Sequence, residues 1–484
     1  MGMGHKRLEP LKLLDLQKCN TVNDIVTGMS KCSFGARMLG EVADTLTSMI
    51  QSRHKPVLIY DGKPDTPLGR LLRDMHKKDW FSRALTPEGF SQQHISGTNL
   101  VVVGPYSERH EDGLYNGNRT IFINQFDLAK PGQVRDGYFP DAVFADPRFV
   151  MPVLNCVLEE RLEGHKETLT DFVEELDRYG GVAEQVFNGA ETFRQMVADK
   201  DCTVFLTLSG AMTIAQMGLV ICDMIDNEMV DYIASTGALM AHGLVESMGL
   251  KHYKHNPRHD DKMLARRKLN RVTDTLEPET NFDHIDEVVD AVLKTYSGSK
   301  PVGPSQFHRD IGAYLAKKFP HERGILKSAY EKGVPVLVPA FHDSEIGNDA
   351  YVHNLWRKLH GRKPIVFNQE LDTEILMKMA TGSKRMGIFS VGGGVPRNFT
   401  QNVAPLIEIA NGRLNLKLKT AQFFYGNKIS PDKMHYGHLS GCTYDEGKSW
   451  RKMDLNGSFN SIQADATQTW PFIVKYVMDS KHTL

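Results

Sequence analysis

The chain has 484 residues, and its 58 basic side chains nearly balance 59 acidic ones. That balance gives no global field favouring nucleic acid or an anionic membrane, so we expect neither partner. No apolar run reaches the roughly 18 residues of a membrane-spanning helix. The start of the sequence also lacks the apolar centre of a secretory signal.

The six cysteines are scattered along the chain and form no CxxC pair. Such spacing favours buried free thiols in a reducing compartment over a disulfide framework or a zinc site. We therefore expect a cytoplasmic protein.

The first 200 residues have an irregular pattern. Residues 1–50 are predicted to be a helical segment of the main fold, with one or two helices over Thr21–Ile50. Residues 51–165 hold turn signals and strand-like runs such as PVLIY, NLVVV and TIFIN, and we interpret them as an inserted α+β subdomain of unknown role. Residues 166–484 are predicted to form the main domain, which begins with helical spacing at Lys166–Lys200.

From Asp201 onward, short β-branched runs alternate with amphipathic helical stretches. This alternation predicts an α/β fold, Rossmann-like and doubly wound, with a mostly parallel sheet and helices on both faces. The predicted strands are Cys202–Leu208, Asp231–Thr236, Val334–Ala340, Arg385–Val391 and Leu414–Ala421.

Small or polar residues follow each predicted strand, as a ligand crevice at the carboxyl edge of a parallel sheet requires. The most distinctive is Gly392–Gly394, where a strand runs through three glycines into a helix. Glycine lets backbone amides approach a phosphate, and the start of the helix offers free N–H groups. Two similar turns, Leu208–Met212 and Ser235–Leu239, follow other strands. Glycine also serves close packing at such turns, so nucleotide binding and simple packing both stay open.

The densest histidine group is His252, His255 and His259, in KHYKHNPRHDD. Histidines so spaced can ligate a metal, but the stretch is polar and contains Pro257, which favours a solvated loop. We therefore predict no metal site.

The segment TYDEGKSWRKM places a carboxylate, an indole and a primary amine close together: Glu446, Trp450 and Lys452. Glu446 and Trp450 share one face of a helix that is predicted to end near Arg451. An amine held beside an indole and out of water has a lowered pKa, which yields the neutral form that attacks an imine. A lysine near a helix end is usually a solvated cap, so its position alone does not establish this role.

Taken in order, several strings resemble the deoxyhypusine synthase family, in particular its bacterial branch, where homospermidine synthase activity is known. The resemblance covers roughly Thr21–Ile50 and Asp201–Leu484. The matching strings are CTVFLTLSGAM, NEMVDYIASTGALMAHGLVE, VPVLVPAFHDSEIGND, IFSVGGGVPRNFTQN, LKTAQ, SGCTYDEGKSWRK and QADATQTWPF.

The resemblance implies a set of functional residues by motif. Lys452 would form the enzyme–aminobutyl imine, Trp450 would line the substrate, and Glu446 would supply the carboxylate. The implied NAD-contacting residues are Ser209, Ser235, Thr236, Gly237, Asp343, Gly392, Gly393, Gly394, Thr420, Ala421, Asp465 and Ala466. The implied polyamine-binding residues are Asn348, Asn398, Asn402 and Ser440.

The sequence departs from the eukaryotic pattern where the amine ends of the substrate bind. Asn348 and Leu439 stand where those enzymes place acidic groups, and Asn398 replaces a histidine. His242 replaces the glutamate of the second NAD turn. The covalent chemistry therefore looks intact, whereas recognition of the amine ends is altered.

The resemblance implies an NAD-dependent transferase that moves an aminobutyl group from a spermidine-like polyamine, through an imine on Lys452, to an amine acceptor. The altered amine contacts favour a small diamine acceptor such as putrescine, giving homospermidine. The alternatives are deoxyhypusine synthesis on a lysine of a translation factor, and a non-catalytic NAD-binding scaffold. The family also implies a homotetramer, a dimer of dimers with sites at subunit interfaces.

Overall fold

The structure, a computed structural model, describes residues 8–60, 65–87, 89–90, 97–104, 119–124 and 141–480. Its contacts divide the chain into two compact units, one of Met1–Leu11 with Gly189–Ala466 and the other of Lys12–Asn188 with Thr467–Leu484. The predicted division at residues 50 and 165 remains a proposal. Within the described ranges, no helix is long and apolar enough to span a bilayer.

The strands, in chain order, are β1 Val57–Tyr60, β2 Arg83–Leu85, β3 Leu100–Val103, β4 Thr120–Asn124, β5 Ala142–Phe144, β6 Cys202–Leu208, β7 Tyr232–Ser235, β8 Tyr253–Lys254, β9 Leu269–Val272, β10 Thr275–Pro278, β11 Val336–Leu337, β12 Arg385–Val391, β13 Phe423–Ile429 and β14 Met453–Ile462. The α-helices are α1 Val22–Met29, α2 Phe34–Gln51, α3 Pro67–Lys77, α4 Pro147–Leu158, α5 Leu169–Glu175, α6 Gly181–Ala198, α7 Gly218–Asp226, α8 Gly237–Ser247, α9 Asp261–Arg266, α10 Thr280–Leu293, α11 Pro304–Lys318, α12 Ile325–Lys332, α13 Glu345–Leu359, α14 Glu370–Gly382, α15 Gly394–Gln401, α16 Val403–Leu414, α17 Tyr444–Ser449 and α18 Ala466–Ser480.

The second unit contains a parallel sheet of five strands in the order β2-β1-β3-β4-β5. The runs PVLIY, NLVVV and TIFIN supply β1, β3 and β4, so the strand predictions for this region are confirmed. Alternate apolar residues such as Val57, Leu100 and Phe122 form a buried cluster on one face. At the start of α1, Thr21 and Asp24 form a reciprocal capping box that fixes where the helix begins.

The first unit is built on a parallel sheet of six strands in the order β11-β7-β6-β12-β13-β14. Helices cover both of its faces, as the alternation along β12 shows. Phe389 points to α6, where its ring centroid lies 4.7 Å from that of Phe193. The preceding Ile388 points to the opposite face and shares a buried cluster with Val403 and Ile407 of α16. The predicted α/β fold is therefore confirmed.

The structure matches the predicted strands β6 and β12 to the residue, but it corrects two others. The predicted strand Val334–Ala340 is only the two-residue edge strand β11. The predicted strand Leu414–Ala421 is wrong, because the chain leaves α16 there through Asn415 in the left-handed conformation. Asn411 then holds the connection by two side-chain bonds, each 2.9 Å, to the backbone of Leu418. The alternating leucines and lysines have the pattern of a strand, but the strand begins only at Phe423.

A small antiparallel sheet, in the order β8-β10-β9, follows α8 in the first unit. Because β8 pairs with β10, the stretch that we interpreted as a solvated loop is partly covered. His252 and His255 are both buried, so that interpretation is wrong for them. Nε2 of His255 contacts the carbonyl oxygen of His259 at 3.0 Å.

Candidate functional site

The carboxyl edge of the six-stranded sheet carries a cavity of about 290 Å³. Loops that follow β6, β7, β12 and β13 line it, as expected for ligand sites in parallel sheets. The lining residues are Ser209, Ser235, Thr236, Gly237, Ala340, Asp343, Gly392, Gly393, Gly394, Val395, Pro396, Ser430, Pro431, Asp432 and Ser440. The fold thus brings the predicted cofactor residues between Ser209 and Gly394 together, with the predicted polyamine residue Ser440 beside them.

The glycine turn after β12 is shaped by close approach of its neighbours. Gly392 has φ 74°, and a Cβ there would overlap Oγ of Ser209. That hydroxyl accepts a bond from the Gly393 N–H at 2.8 Å and donates to the Val391 carbonyl at 3.1 Å. A Cβ on Gly393 would lie 2.6 Å from Cα of Ser440. The turn therefore needs glycine for its own packing as well as for any ligand.

A second turn, after β7, is also shaped by the close approach of neighbouring residues. Ser235 is fully buried at the end of the strand, and Thr236 is the N-cap of α8. A Cβ on Gly237 would lie 2.7 Å from Cβ of Ser344, so the backbone of the two loops touches at this point. Asp343 precedes that contact and presents an exposed carboxylate at the cavity.

Thr420 and Ala421 do not line the cavity, so their role as cofactor residues stays a prediction from the resemblance. They precede β13, whose first residue Phe423 pairs with Met386 at the amino edge of the sheet. The cavity lies at the opposite edge, where β13 ends, and is lined there by 430–432. Sequence reasoning missed these residues because it placed the strand too early; the apolar run FFYGNKI was the available signal.

Asp465 and Ala466, which the resemblance implies as NAD contacts, follow β14 and so lie at the carboxyl edge of the sheet. They are not among the residues that line the cavity. Ala466 begins α18 and is buried.

Lys452 lies between α17 and β14, next to residues of α15. Its Nζ donates to Oδ1 of Asn398 at 3.0 Å. Partial burial, and then the nearby guanidinium of Arg397, lower the pKa of this amine. Lys452 does not line the cavity itself, but α15 connects the two places. The first residues of that helix, Gly394–Pro396, form cavity wall, and the next two are Arg397 and Asn398.

The other two predicted catalytic side chains are more open than expected. The Trp450 side chain is 65% exposed, with its ring centroid 5.7 Å from Nζ of Lys452. Glu446 is exposed in the first turn of α17. The helix ends at Ser449, close to the predicted end, so Lys452 lies beyond the helix that carries Glu446. A single chain therefore brings the amine and indole together without enclosing them.

The predicted polyamine residues do not form one group. Ser440 lines the cavity and hydrogen-bonds to the Asp432 carboxylate, whereas Asn348 on α13 and Asn402 at the end of α15 are both exposed. Asp349, which sequence reasoning did not single out, follows Asn348. Burial, and then nearby carboxylates, raise the pKa of Asp349 to about 7.

Lys428 near the end of β13 is a further residue that sequence reasoning missed. Its Nζ donates to the carbonyl oxygens of Ser440, Gly441 and Cys442 at 3.0, 3.1 and 2.9 Å. Burial, and then the Arg397 guanidinium, lower the pKa of this amine to about 8. The contacts tie the loop that contains Ser440 to the sheet. The sequence signal for this anchoring role was a lysine within an apolar strand.

The cavity has features that fit a dinucleotide. The N-terminus of α15 opens into it at a glycine turn, where the first N–H groups of the helix have no intrahelical acceptor. Gly392, Gly393 and Gly237 let the loops around the cavity pack closely, because a Cβ at any of them would overlap a serine of a neighbouring loop. The carboxylates of Asp343 and Asp432 are available as acceptors for ribose hydroxyls.

Comparison with known proteins gives a consistent family. The family model described as deoxyhypusine synthase matches residues 171–477. The deoxyhypusine synthase-like protein of Chlorobaculum tepidum is 31% identical over 318 residues, which are 66% of this chain and 88% of that protein. The deoxyhypusine synthase-like protein of Chlorobaculum parvum has the same identity and coverage.

Proposed function

The chain belongs to the deoxyhypusine synthase family, and from that premise we propose that it transfers the aminobutyl group of a spermidine-like polyamine to an amine acceptor with the help of NAD. Membership makes the chain a transferase of the aminobutyl-transfer class. The finer proposal is that Lys452 carries the group and that the acceptor is a small diamine such as putrescine, which gives homospermidine. The observation that carries the role of Lys452 is its position, with Nζ held 3.0 Å from Oδ1 of Asn398 on the helix whose first residues line the cavity.

NAD binding is supported by the glycine turn, the helix N-terminus and the two carboxylates at the cavity. When bound, NAD would accept a hydride from the carbon beside the secondary amine of the polyamine and return it after transfer. The cavity residues Ser235, Thr236, Gly237 and Asp343 would hold the cofactor. The glycine turn would receive its phosphates.

The contribution of Lys452 follows from its surroundings. A lowered pKa leaves more of the amine neutral near pH 7, and only the neutral form has a lone pair for attack. Nζ would bond to the imine carbon while the carbon–nitrogen bond to the diamine leaving group breaks. Asn398 orients Nζ through the 3.0 Å hydrogen bond. The acceptor amine then displaces Nζ from the same carbon, which restores Lys452.

The small acceptor is favoured by the groups near the amine ends. A protein acceptor with a basic loop would need an acidic mouth for steering and recognition. Asn348 and Leu439 instead present an amide and an apolar side chain, both exposed. This difference supports a diamine acceptor over a lysine of a translation factor.

We also propose that the working assembly is a homotetramer, as in the family. The large apolar side chains of Leu439, Trp450 and Leu455 are 72%, 65% and 74% exposed in the single chain. A second subunit packed on this surface would remove water from these side chains and from the neighbouring Lys452 amine.

The test is to incubate the purified chain with NAD, spermidine and putrescine, and to trap adducts with borohydride. We expect an aminobutyl adduct that maps to Lys452, together with free homospermidine. Lys452→Ala should lose both while retaining NAD binding. Lys448→Ala is the matched control, because Lys448 is in the same segment but pairs with Asp445 at 2.8 Å.

Each other outcome points to one alternative. Product that appears only when a translation-factor protein is added would replace the diamine acceptor with a protein lysine. NAD binding without any adduct would leave a non-catalytic scaffold. Full turnover by Lys452→Ala would remove the covalent step.

A further inference from the structure

Two imidazoles and a carboxylate lie close together at α8, the helix whose first residue lines the cavity. His242 lies in the middle of α8, His252 immediately precedes β8, and Glu277 is in β10. Leu276 pairs with Tyr253 in the antiparallel ladder. Because the two strands run in opposite directions, Glu277, the residue after Leu276, lies beside His252, the residue before Tyr253. One nitrogen of each histidine and an oxygen of Glu277 all lie within 4.8 Å of one another.

The polar atoms of this cluster lack hydrogen-bond partners although they are buried. His252 and Glu277 are each 1% exposed. Nδ1 of His242, Nε2 of His252 and both carboxylate oxygens of Glu277 have no partner with hydrogen-bond geometry. These four atoms face one another as two histidine–carboxylate ion pairs that lack hydrogen-bond geometry. Because buried polar atoms are almost always fully bonded, this arrangement leaves bonding capacity for a further partner.

The separations within the cluster match the geometry of a metal centre. Nε2 of His252 lies 3.6 Å from Oε1 of Glu277. Two ligands at zinc distances in a tetrahedron are separated by about 3.4 Å. Nδ1 of His242 contacts Oε2 of Glu277 at 2.7 Å without hydrogen-bond geometry, so an ion would move these two atoms slightly apart.

We propose that His242, His252 and Glu277 bind a divalent transition-metal ion. Two histidines and one carboxylate are a ligand set used for Zn²⁺ and for Fe²⁺, and they leave a coordination position for water. The ion joins α8 to the small antiparallel sheet. Since α8 begins at Thr236 and Gly237, the metal fixes the helix that carries part of the cavity wall.

The surroundings of the cluster supply further groups. Glu246 lies one helical turn after His242, is buried, and has an unpartnered Oε1. The side-chain nitrogen of Gln216 contacts Nδ1 of His252 at 3.2 Å and donates to the Ile214 carbonyl at 3.1 Å. A metal-bound imidazole donates its other N–H to an acceptor. Metal binding would therefore rotate the Gln216 amide so that its oxygen faces Nδ1.

The test measures metal directly and needs no assay of transfer. The untagged full chain is stripped with EDTA, and Zn²⁺ is titrated in competition with a chromophoric chelator; Fe²⁺ and Mn²⁺ are titrated separately. Metal content after gel filtration is measured by mass spectrometry. We expect one ion per chain, and at least ~10-fold weaker binding by Glu277→Gln. His284→Ala should bind as the wild type does, because His284 is exposed and faces Glu287.

Circular dichroism of the metal-free proteins shows whether each variant folds. If Glu277→Gln does not fold, His242→Asn replaces it, since that side chain is 17% exposed and is tolerated more easily. Absence of saturable binding of all three ions by the wild type would overturn the proposal. Undiminished binding by a folded Glu277→Gln or His242→Asn would overturn it equally. Neither result depends on whether the chain transfers aminobutyl groups.

Discussion

Nζ of Lys452 and Oδ1 of Asn398 are joined by a 3.0 Å hydrogen bond between the segment after α17 and the helix that begins at the cavity. The amide at position 398 accepts this bond without carrying a charge. It therefore orients the amine and leaves the pKa of Lys452 lowered by burial and by Arg397.

Asn398→Asp places a carboxylate beside that amine. A negative charge favours the ammonium form, so the pKa of Lys452 rises and the neutral fraction at a given pH falls. We expect the rising limb of the rate of adduct formation to move to higher pH. Single-turnover trapping across pH 6–10 measures it. Asn415→Asp, at the exposed left-handed end of α16, should leave the profile in place. An unchanged profile for Asn398→Asp would contradict the assigned contact.

Gly392→Ala is expected to destabilise the glycine turn. The new Cβ would overlap Oγ of Ser209 at a backbone with φ 74°, which costs about 1–3 kcal/mol. Urea unfolding should show this loss, and calorimetric titration should show weaker NAD binding. Gly382→Ala is the control, because nothing lies within 4 Å of a Cβ there and its φ is ordinary. Equal stability and NAD affinity in the two variants would show that the turn is not constrained.

Lys428→Met removes three bonds to carbonyl oxygens at the base of the Ser440 loop. We expect a loss of about 2–3 kcal/mol in the free energy of unfolding, since buried acceptors lose a charged donor. The exposed Lys417→Met serves as the control. Hydrogen exchange should also be faster across 439–442. Protection equal to the wild type would remove Lys428 from its anchoring role.

The same substitution should have a pH-dependent effect. Burial lowers the pKa of folded Lys428 to about 8, whereas the pKa of the unfolded side chain has its ordinary value of 10.5. Between these values the unfolded chain binds more protons, so this group's contribution to stability rises with pH. The stability difference between wild type and Lys428→Met should therefore widen from pH 8 toward pH 10. A difference that narrows over this range would mean that Lys428 stays charged when buried.

Trp450→Ala should lower the rate of adduct formation while leaving the stability of the single chain nearly unchanged. Because the side chain is 65% exposed in the single chain, we expect the free energy of unfolding of the dissociated subunit to change by no more than about 0.5 kcal/mol. The rate of adduct formation should fall, since the indole lies 5.7 Å from the reacting amine. Chemical denaturation and borohydride trapping provide the two measurements. Trapping at the wild-type rate would show that the indole has no part in holding the substrate.

Much of the fold follows from short-range pattern. The strands β6 and β12 are continuous β-branched and apolar runs, and each is buried on both faces of a parallel sheet. The glycine turn after β12 was visible for the same reason, because three consecutive glycines follow directly on an apolar strand. Where the local pattern was ambiguous, as in the alternating leucines and lysines before Phe423, the prediction placed the strand several residues too early and so missed 430–432 at its end.

The sequence by itself determined the strands β6 and β12, the glycine turn and the closeness of Trp450 and Lys452, because all of these depend on neighbours along the chain. Only the tertiary structure decided that Asn398 contacts Lys452, that Lys428 is buried against three carbonyls, and that His242, His252 and Glu277 converge. Those relationships join segments far apart in the chain. Their distances are set by strand order and helix packing, which residue spacing does not encode.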